Sequence, residues 1–197
     1  MIVTTGGAQG CDTLWAWAAS ENNLNVHIFT FQKHKIIRSE QPNTNVIYHC
    51  IDERDVDEAL PYVNAVVPNS ESRNRYILNL WCRDYHIIKH AQMVLAVGYF
   101  DPESSLSLGI KGGTGITSEM YLNRHQKPET IFFYDIVTKQ WYQAYEDKSW
   151  KGLDTISPIV EQLKQCEVCA VIGTREVPNQ EEIKRVMNDL FISMKVI

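Results

Sequence analysis

Two periods alternate along the chain. Short blocks rich in β-branched and aromatic residues read as strands, and the stretches between them carry apolar residues three and four apart, as helices do. Ile2 to Thr5 is the first block, and a glycine loop, Gly6-Gly7-Ala8-Gln9-Gly10, follows at once. Leu14, Trp15, Ala18 and Ala19 then fall at helical spacing, with Asp12 and Thr13 where an N-cap or first-turn residue belongs. Residues 25–31 (NVHIFTF) alternate and predict a second strand. Residues 33–45 are polar, carry Pro42 and predict a loop, with a short strand at 46–49. Residues 52–67 open on a run of acids and predict a helix with a solvated charged face.

Residues 70–91 hold the clearest helical pattern. Ile77, Leu80, Trp81, Ile87, Ile88 and Ala91 form its stripe, with Arg83 at the edge, where a side chain can leave the core and reach a cleft. Arg73 and Arg75 near its start read as a solvated pair. Residues 92–98 (QMVLAVG) are a continuous apolar run of the kind buried on both faces of a parallel sheet. A loop at 99–110, a helix at 116–125, a buried strand at 130–134 (TIFFY) and an edge strand at 141–145 follow. Residues 153–165 mix helix and loop signals, and 168–172 predict another apolar strand. Pro178 opens a last amphipathic helix through Ile183, Val186, Met187 and Leu190. Strands alternating with helices predict an α/β fold, Rossmann-like, with a mainly parallel sheet and helices on both faces. No repeat or linker divides the 197 residues, so one domain is expected.

Three predicted strands end in glycine-rich or polar loops: Gly6 to Gly10, Gly112 to Gly115, and Gly173-Thr174-Arg175-Glu176. In open α/β sheets ligands bind where such loops converge, outside the carboxyl ends of the strands. The second of these, Lys111-Gly112-Gly113-Thr114-Gly115-Ile116-Thr117-Ser118-Glu119, joins glycines to a helix start. Glycine lets backbone N–H groups approach a ligand, and a helix N-terminus favours an anion, most often a phosphate. Glu119 adds negative charge beside such an anion, which suits a carboxylate that holds a ribose or polarises a bond. An ordinary loop, with Glu119 as a first-turn acid favoured by the helix dipole, is the plainer reading of the same residues. The spacing GGxxG of the first loop is not the GxGxxG fingerprint, so a dinucleotide cofactor is not indicated.

Composition narrows the partners. Hydrophobic content of 44% and charged content of 22% are those of a globular protein. A net charge of −5 disfavours a broad nucleic-acid surface. No apolar run has the length of a membrane helix and the start, MIVTTGG, lacks a signal-peptide core, so no membrane partner and a cytoplasmic location are expected. Five cysteines without a secretion signal predict free thiols. Cys166-x-x-Cys169 has no second pair and no nearby histidines, so no metal is expected.

The paired glycine loops, Arg83 and the apolar strand resemble the SLOG superfamily, which groups the lysine-decarboxylase-like LOG enzymes with DNA-processing protein A and nucleotide-sensing domains. The LOG pattern PGGxGTxxE is matched by the glycines and Glu119, with Lys111 at the proline and Ile116 at the threonine. Ile116 thus removes a hydroxyl near the phosphate. Arg83 stands nine residues before Gln92, where LOG enzymes place an arginine nine before an acid. Cys11-Asp12-Thr13 resembles the GxDT-like turn of DNA-processing protein A. GGAQGCDTLWAW, GGTGITSEMYL and VIGTRE look like an uncharacterised phage-borne group of this superfamily.

The resemblance implies a small-molecule nucleotide as partner, no cofactor, and a host-cytoplasm location for a phage protein. It implies Glu119 and Arg83 as a catalytic pair cleaving an N-glycosidic bond. Gly6, Gly7, Ala8, Gln9, Gly10, Asp12, Gly112, Gly113, Thr114, Gly115, Thr174 and Arg175 would bind the ligand. The alternative is a non-catalytic sensor or sponge for an ADP-ribose-type or cyclic nucleotide signal, an anti-defence role; single-stranded DNA binding ranks third. LOG relatives are often dimers, so the helix at 70–91 could contribute to a homo-oligomer interface.

Overall fold

The chain order runs β1 (Ile2–Thr5), α1 (Cys11–Glu21), β2 (Asn25–Phe31), β3 (Val46–Ile51), α2 (Glu53–Val66), α3 (Arg75–Ile88), β4 (Met93–Gly98) and α4 (Gly112–His125). It continues with β5 (Ile131–Asp135), β6 (Gln140–Ala144), β7 (Trp150–Gly152), α5 (Ser157–Gln165), β8 (Val168–Gly173) and α6 (Gln180–Lys195). This computed structural model describes residues 1–34 and 45–195. The strands form one eight-stranded sheet in the order β3-β2-β1-β8-β4-β5-β6-β7. The pairs from β3 through β5 are parallel; β6 and β7 add as an antiparallel hairpin. The fold is α/β and Rossmann-like, with helices on both faces.

Alternation along each central strand builds two cores. Val3, Val26, Leu95, Val97, Cys169 and Val171 pack against α1, α5 and α6. Val94, Ala96, Ile131, Phe133, Ala170 and Ile172 face α2, α3 and α4. A parallel strand covered on both faces must be apolar at every position, which is why β4 is buried throughout. Trp15 locks α1 down: its indole N–H donates to the Ile172 carbonyl at 3.3 Å and its ring meets Phe191 edge-on.

The chain's last strand, β8, lies between β1 and β4. The loops that follow β1, β8 and β4 therefore stand side by side at the carboxyl edge, where the winding direction reverses and ligands bind in such sheets.

Several elements differ from the sequence expectation. The helix expected over 70–91 is a single 3₁₀ turn, Ser70–Ser72, followed by α3. Asn74 interposes as a non-helical cap, its side chain accepting from the Tyr76 N–H at 2.8 Å. The strand at 141–145 is internal, because β7 pairs outside it. The strand at 46–49 extends to Ile51, pairing along its length with β2. Most of the loop expected over 33–45 lies outside the described residues. The weakly patterned acidic segment is helical because Asp52 and Asp55 form a reciprocal capping box. All five cysteines are free thiols.

Asp52 accepts from the N–H groups of Arg54 at 2.8 Å and Asp55 at 3.1 Å. Asp52→Ala should cost about 1 kcal/mol, seen as a lower urea midpoint at unchanged slope.

Candidate functional site

Close packing at the strand ends explains several glycines. Gly10, with φ 99°, lets the start of α1 lie against the loop after β8: a Cβ there would stand 2.6 Å from the Thr174 carbonyl oxygen. The Cys11 N–H donates to that same carbonyl at 3.0 Å. A Cβ on Gly173 would meet the Cys11 side chain at 2.4 Å and the Val97 oxygen at 2.8 Å. Gly6 is covered by Arg83, whose Nη1 would lie 1.1 Å from a Cβ.

Arg83 enters from α3 and is buried to 3% exposure. Its Nη1 lies 3.2 Å from Asp12 Oδ2 and 3.3 Å from Asp84 Oδ1. Asp12 comes from the first turn of α1 and Asp84 from α3, and both are buried. Burial raises the Asp12 carboxyl above its usual value, against the opposing pull of Arg83. Burial likewise pushes Asp84 up to about 6, with Arg83 opposing and Asp12 adding to the rise. The Arg83 Nε is buried and finds no acceptor among the described residues. An orphaned guanidinium donor in a buried position is costly unless something else satisfies it.

These groups line a cavity of about 500 Å³, within the range of small-molecule sites. One wall is apolar: Ile77, Leu80, Trp81 and Ile87 of α3. The N-terminus of α4 lines the cavity too, with Lys111, Gly112, Gly113, Thr114 and Thr117, as do Thr174, Arg175 and Glu176 after β8. α4 begins at Gly112, four residues ahead of the expected helix at 116, so the glycines themselves form its first turn. Gly112, with φ 67°, and Gly113 have open space where a Cβ would stand, and no side chain caps the helix. Its first N–H groups have no intrahelical acceptor and carry the positive end of the dipole. Lys111 and Arg175 are exposed beside them. At the adjacent end of β2, burial and the charges of Arg83 and Arg175 push His34 down to about 4.

Of the residues singled out from sequence, Ala8, Asp12, Arg83, Gly112, Gly113, Thr114, Thr174 and Arg175 line this one cavity. Gly6, Gly7, Gln9, Gly10, Gly115 and Glu119 do not. Gly115 is a packing glycine, since a Cβ there would stand 2.0 Å from the Ile110 carbonyl oxygen. Glu119 is engaged elsewhere. Its carboxylate accepts from the Ser107 hydroxyl and from the Leu108 N–H at 3.3 Å, with Lys148 Nζ 4.0 Å away. It fastens the 99–110 loop to α4. The β6–β7 hairpin braces that loop from outside: the Trp150 indole N–H donates to the Leu108 carbonyl at 2.9 Å, and Phe100 packs against Phe133, Tyr142 and Trp150.

Asp84, Lys111, Tyr99 and the apolar wall were not assigned to a site from the sequence. Asp84 had a signal, an acid adjacent to the singled-out arginine. The wall had a misleading one, because Ile77, Leu80 and Trp81 fit an ordinary core stripe.

No protein-family model matches this sequence, and no curated protein matches it. The fold has a solved counterpart. The crystal structure of a Syntrophus aciditrophicus SB protein, described provisionally as a molybdenum carrier protein, superposes with a TM-score of 0.53 at 12% identity. The match covers 99% of this chain and 94% of that one. The likeness is one of fold. No helix among the described residues is long and apolar enough to cross a membrane.

Gly115→Ala should lower stability by about 2 kcal/mol or more through the Ile110 clash. Gly113→Ala should leave stability within about 1 kcal/mol of wild type. Thermal denaturation of both variants separates the packing glycine from the open one. A second outcome concerns Asp84. Its folded value lies above its unfolded 3.8, so the folded state holds the proton longer, and stability falls as pH rises from 3.8 through about 6. Asp84→Asn lacks this loss. Its melting temperature should therefore rise relative to wild type across that window and hold its gain above it.

Proposed function

We propose that this chain binds a phosphate-bearing nucleotide or nucleotide-derived signal in the central cavity, as a sensor or sponge without turnover. One observation carries the reading. The uncapped N-terminus of α4, open at Gly112 and Gly113, faces the same cavity as a buried arginine and an apolar wall. The phosphate would sit on the first-turn N–H groups, with Lys111 and Arg175 adding charge from the rim. The base would lie along Ile77, Leu80 and Trp81. This is the division of labour expected of a SLOG-type nucleotide site, the superfamily that the glycine motifs resemble.

The LOG resemblance would make Arg83 and Glu119 a catalytic pair for N-glycosidic cleavage. Glu119 is held by Ser107 and Leu108 and does not line the cavity, which favours binding over cleavage. The fold neighbour's description suggests a bare oxyanion such as molybdate as cargo. A cavity of about 500 Å³ with an apolar wall suits an organic ligand better.

Mass spectrometry of small molecules released on denaturation, after incubation with a nucleotide and cyclic-nucleotide pool, tests the reading. An intact nucleotide recovered from the denatured protein is the expected result. Free base with ribose phosphate would support the glycosidase instead, and retention of molybdate alone would support an oxyanion carrier. Recovery of no nucleotide and no product would overturn both nucleotide readings. Titration with ADP-ribose, whose charge is nearly constant near neutral pH, should show Lys111→Ala and Arg175→Ala each weakening affinity about fivefold to tenfold. Affinity should rise as pH falls through about 6, because neutralising Asp84 removes a negative charge from the cavity. A pH-independent affinity would remove Asp84 from the ligand's surroundings.

A further inference from the structure

The two glycine loops stand in opposite states. At the start of α4, Gly112 and Gly113 have open space where a Cβ would stand, and no side chain caps the helix. The loop between β1 and α1 is filled by the chain itself. A Cβ on Gly6 would lie among the Arg83 guanidinium atoms and 2.5 Å from Asp12 Oδ2, so the Arg83–Asp12 ion pair rests on the first glycine of that loop. Gly10 is closed by the backbone of Thr174 and Arg175. The polar groups of the loop are engaged within the fold. The Cys11 N–H donates to the Thr174 carbonyl at 3.0 Å, the Thr13 hydroxyl donates to the Ala8 carbonyl at 2.7 Å, and the Ala8 N–H faces the Asp12 carboxylate. Asp12 is buried, yet it lines the cavity together with Ala8. An anion is therefore already in place where this loop would receive one. A phosphate arriving there would have to separate Asp12 from Arg83, and Asp84 Oδ1 stands 3.3 Å from the same Nη1. Breaking a buried ion pair is strongly unfavourable, and like charges repel more at such a site than in water.

We infer that Asp12 is a specificity determinant: it is the resident anion of the first glycine loop, closes that loop to phosphate, and confines phosphate binding to the start of α4. The inference rests on the nucleotide reading and adds to it the number of phosphate cradles, one where the sequence has two glycine loops. A second phosphate on the ligand finds no cradle at Gly6 to Gly10 and is repelled from that side by Asp12. The residue acts by its charge and its position, so a neutral side chain at 12 should relieve the repulsion. Arg83 keeps Asp84 as its ionic partner in such a variant.

The test is calorimetric titration of the wild-type chain, Asp12→Asn and Asp12→Ser with the four ribonucleoside 5′-monophosphates and their 5′-diphosphates. Asparagine keeps the shape and an oxygen acceptor for Arg83 while removing the charge, and serine also shortens the side chain. The ratio of diphosphate to monophosphate affinity should rise about tenfold over wild type in each variant. An unchanged ratio overturns the inference and leaves the nucleotide reading standing. If neither variant folds, the wild-type ratio decides. A diphosphate bound more than about tenfold tighter than its monophosphate overturns the closed loop, and a smaller difference upholds it. No binding of either series overturns both readings.

Discussion

A buried positive charge organises this molecule. Arg83 leaves α3 and comes to rest on Gly6, in contact with Asp12 of α1 and with Asp84 of its own helix. A charge at that depth loses several kcal/mol of hydration and persists only where opposite charges and hydrogen bonds replace it. The surrounding chain is shaped by this requirement. Gly6 carries no side chain because the guanidinium occupies its space. Asp12 stands at the start of α1 because that is where the arginine arrives. The ion pair fixes α3 against the first strand-to-helix loop, and the cavity is the space left between them.

The far side of the cavity is held by a different device. The 99–110 loop is long, yet it is packed: Phe100 sits among Phe133, Tyr142 and Trp150, and Leu108 and Ile110 are buried. Glu119 and Trp150 grip its backbone from opposite sides. Gly115 then lets α4 approach Ile110 closely, which sets where the helix begins and where its N–H groups point. A rim built in this way is ordered before any ligand arrives, so binding does not bear the cost of arranging it. The β6–β7 hairpin has a clear physical role as the brace for that rim.

The two sides differ in chemistry as well as in construction. The start of α4 presents uncapped N–H groups with exposed cations, and α3 presents a compensated ion-pair cluster bordered by hydrocarbon, the two joined where Thr117 bonds Asp84. An anion placed at the first meets favourable fields; the same anion at the second meets two carboxylates. A molecule that fills the cavity meets helix N–H groups, cations, an ion-pair cluster and hydrocarbon together. The solved counterpart shares the fold at 12% identity, and a shared fold leaves the ligand open. The ligand is decided by side chains such as Asp84, Trp81 and Lys111.

The amino-acid sequence by itself determined the α/β class, most of the elements, the two opposed cores and the three strand ends where chemistry gathers. It did so because strand alternation, helical spacing and glycine placement are local properties. Asp12, Gly112 and Gly113 could be singled out for the same reason, each in a short motif with a physical purpose, and Arg83 by its place at the edge of a helical stripe. Tertiary structure alone decided the rest. The position of β8 between β1 and β4 depends on pairings across more than a hundred and sixty residues, such as Ile2 with Val168, which no local pattern records. Glu119 had the spacing of a site carboxylate, and only the folded loop shows it turned toward Ser107 and Leu108. Ile77 and Trp81 had the spacing of core residues and instead face a cavity, because a helical stripe reports which side of a helix is apolar and not what lies opposite. Gly113 and Gly115 read alike in sequence; the space beside one and the Ile110 carbonyl beside the other separate an open position from a packing contact.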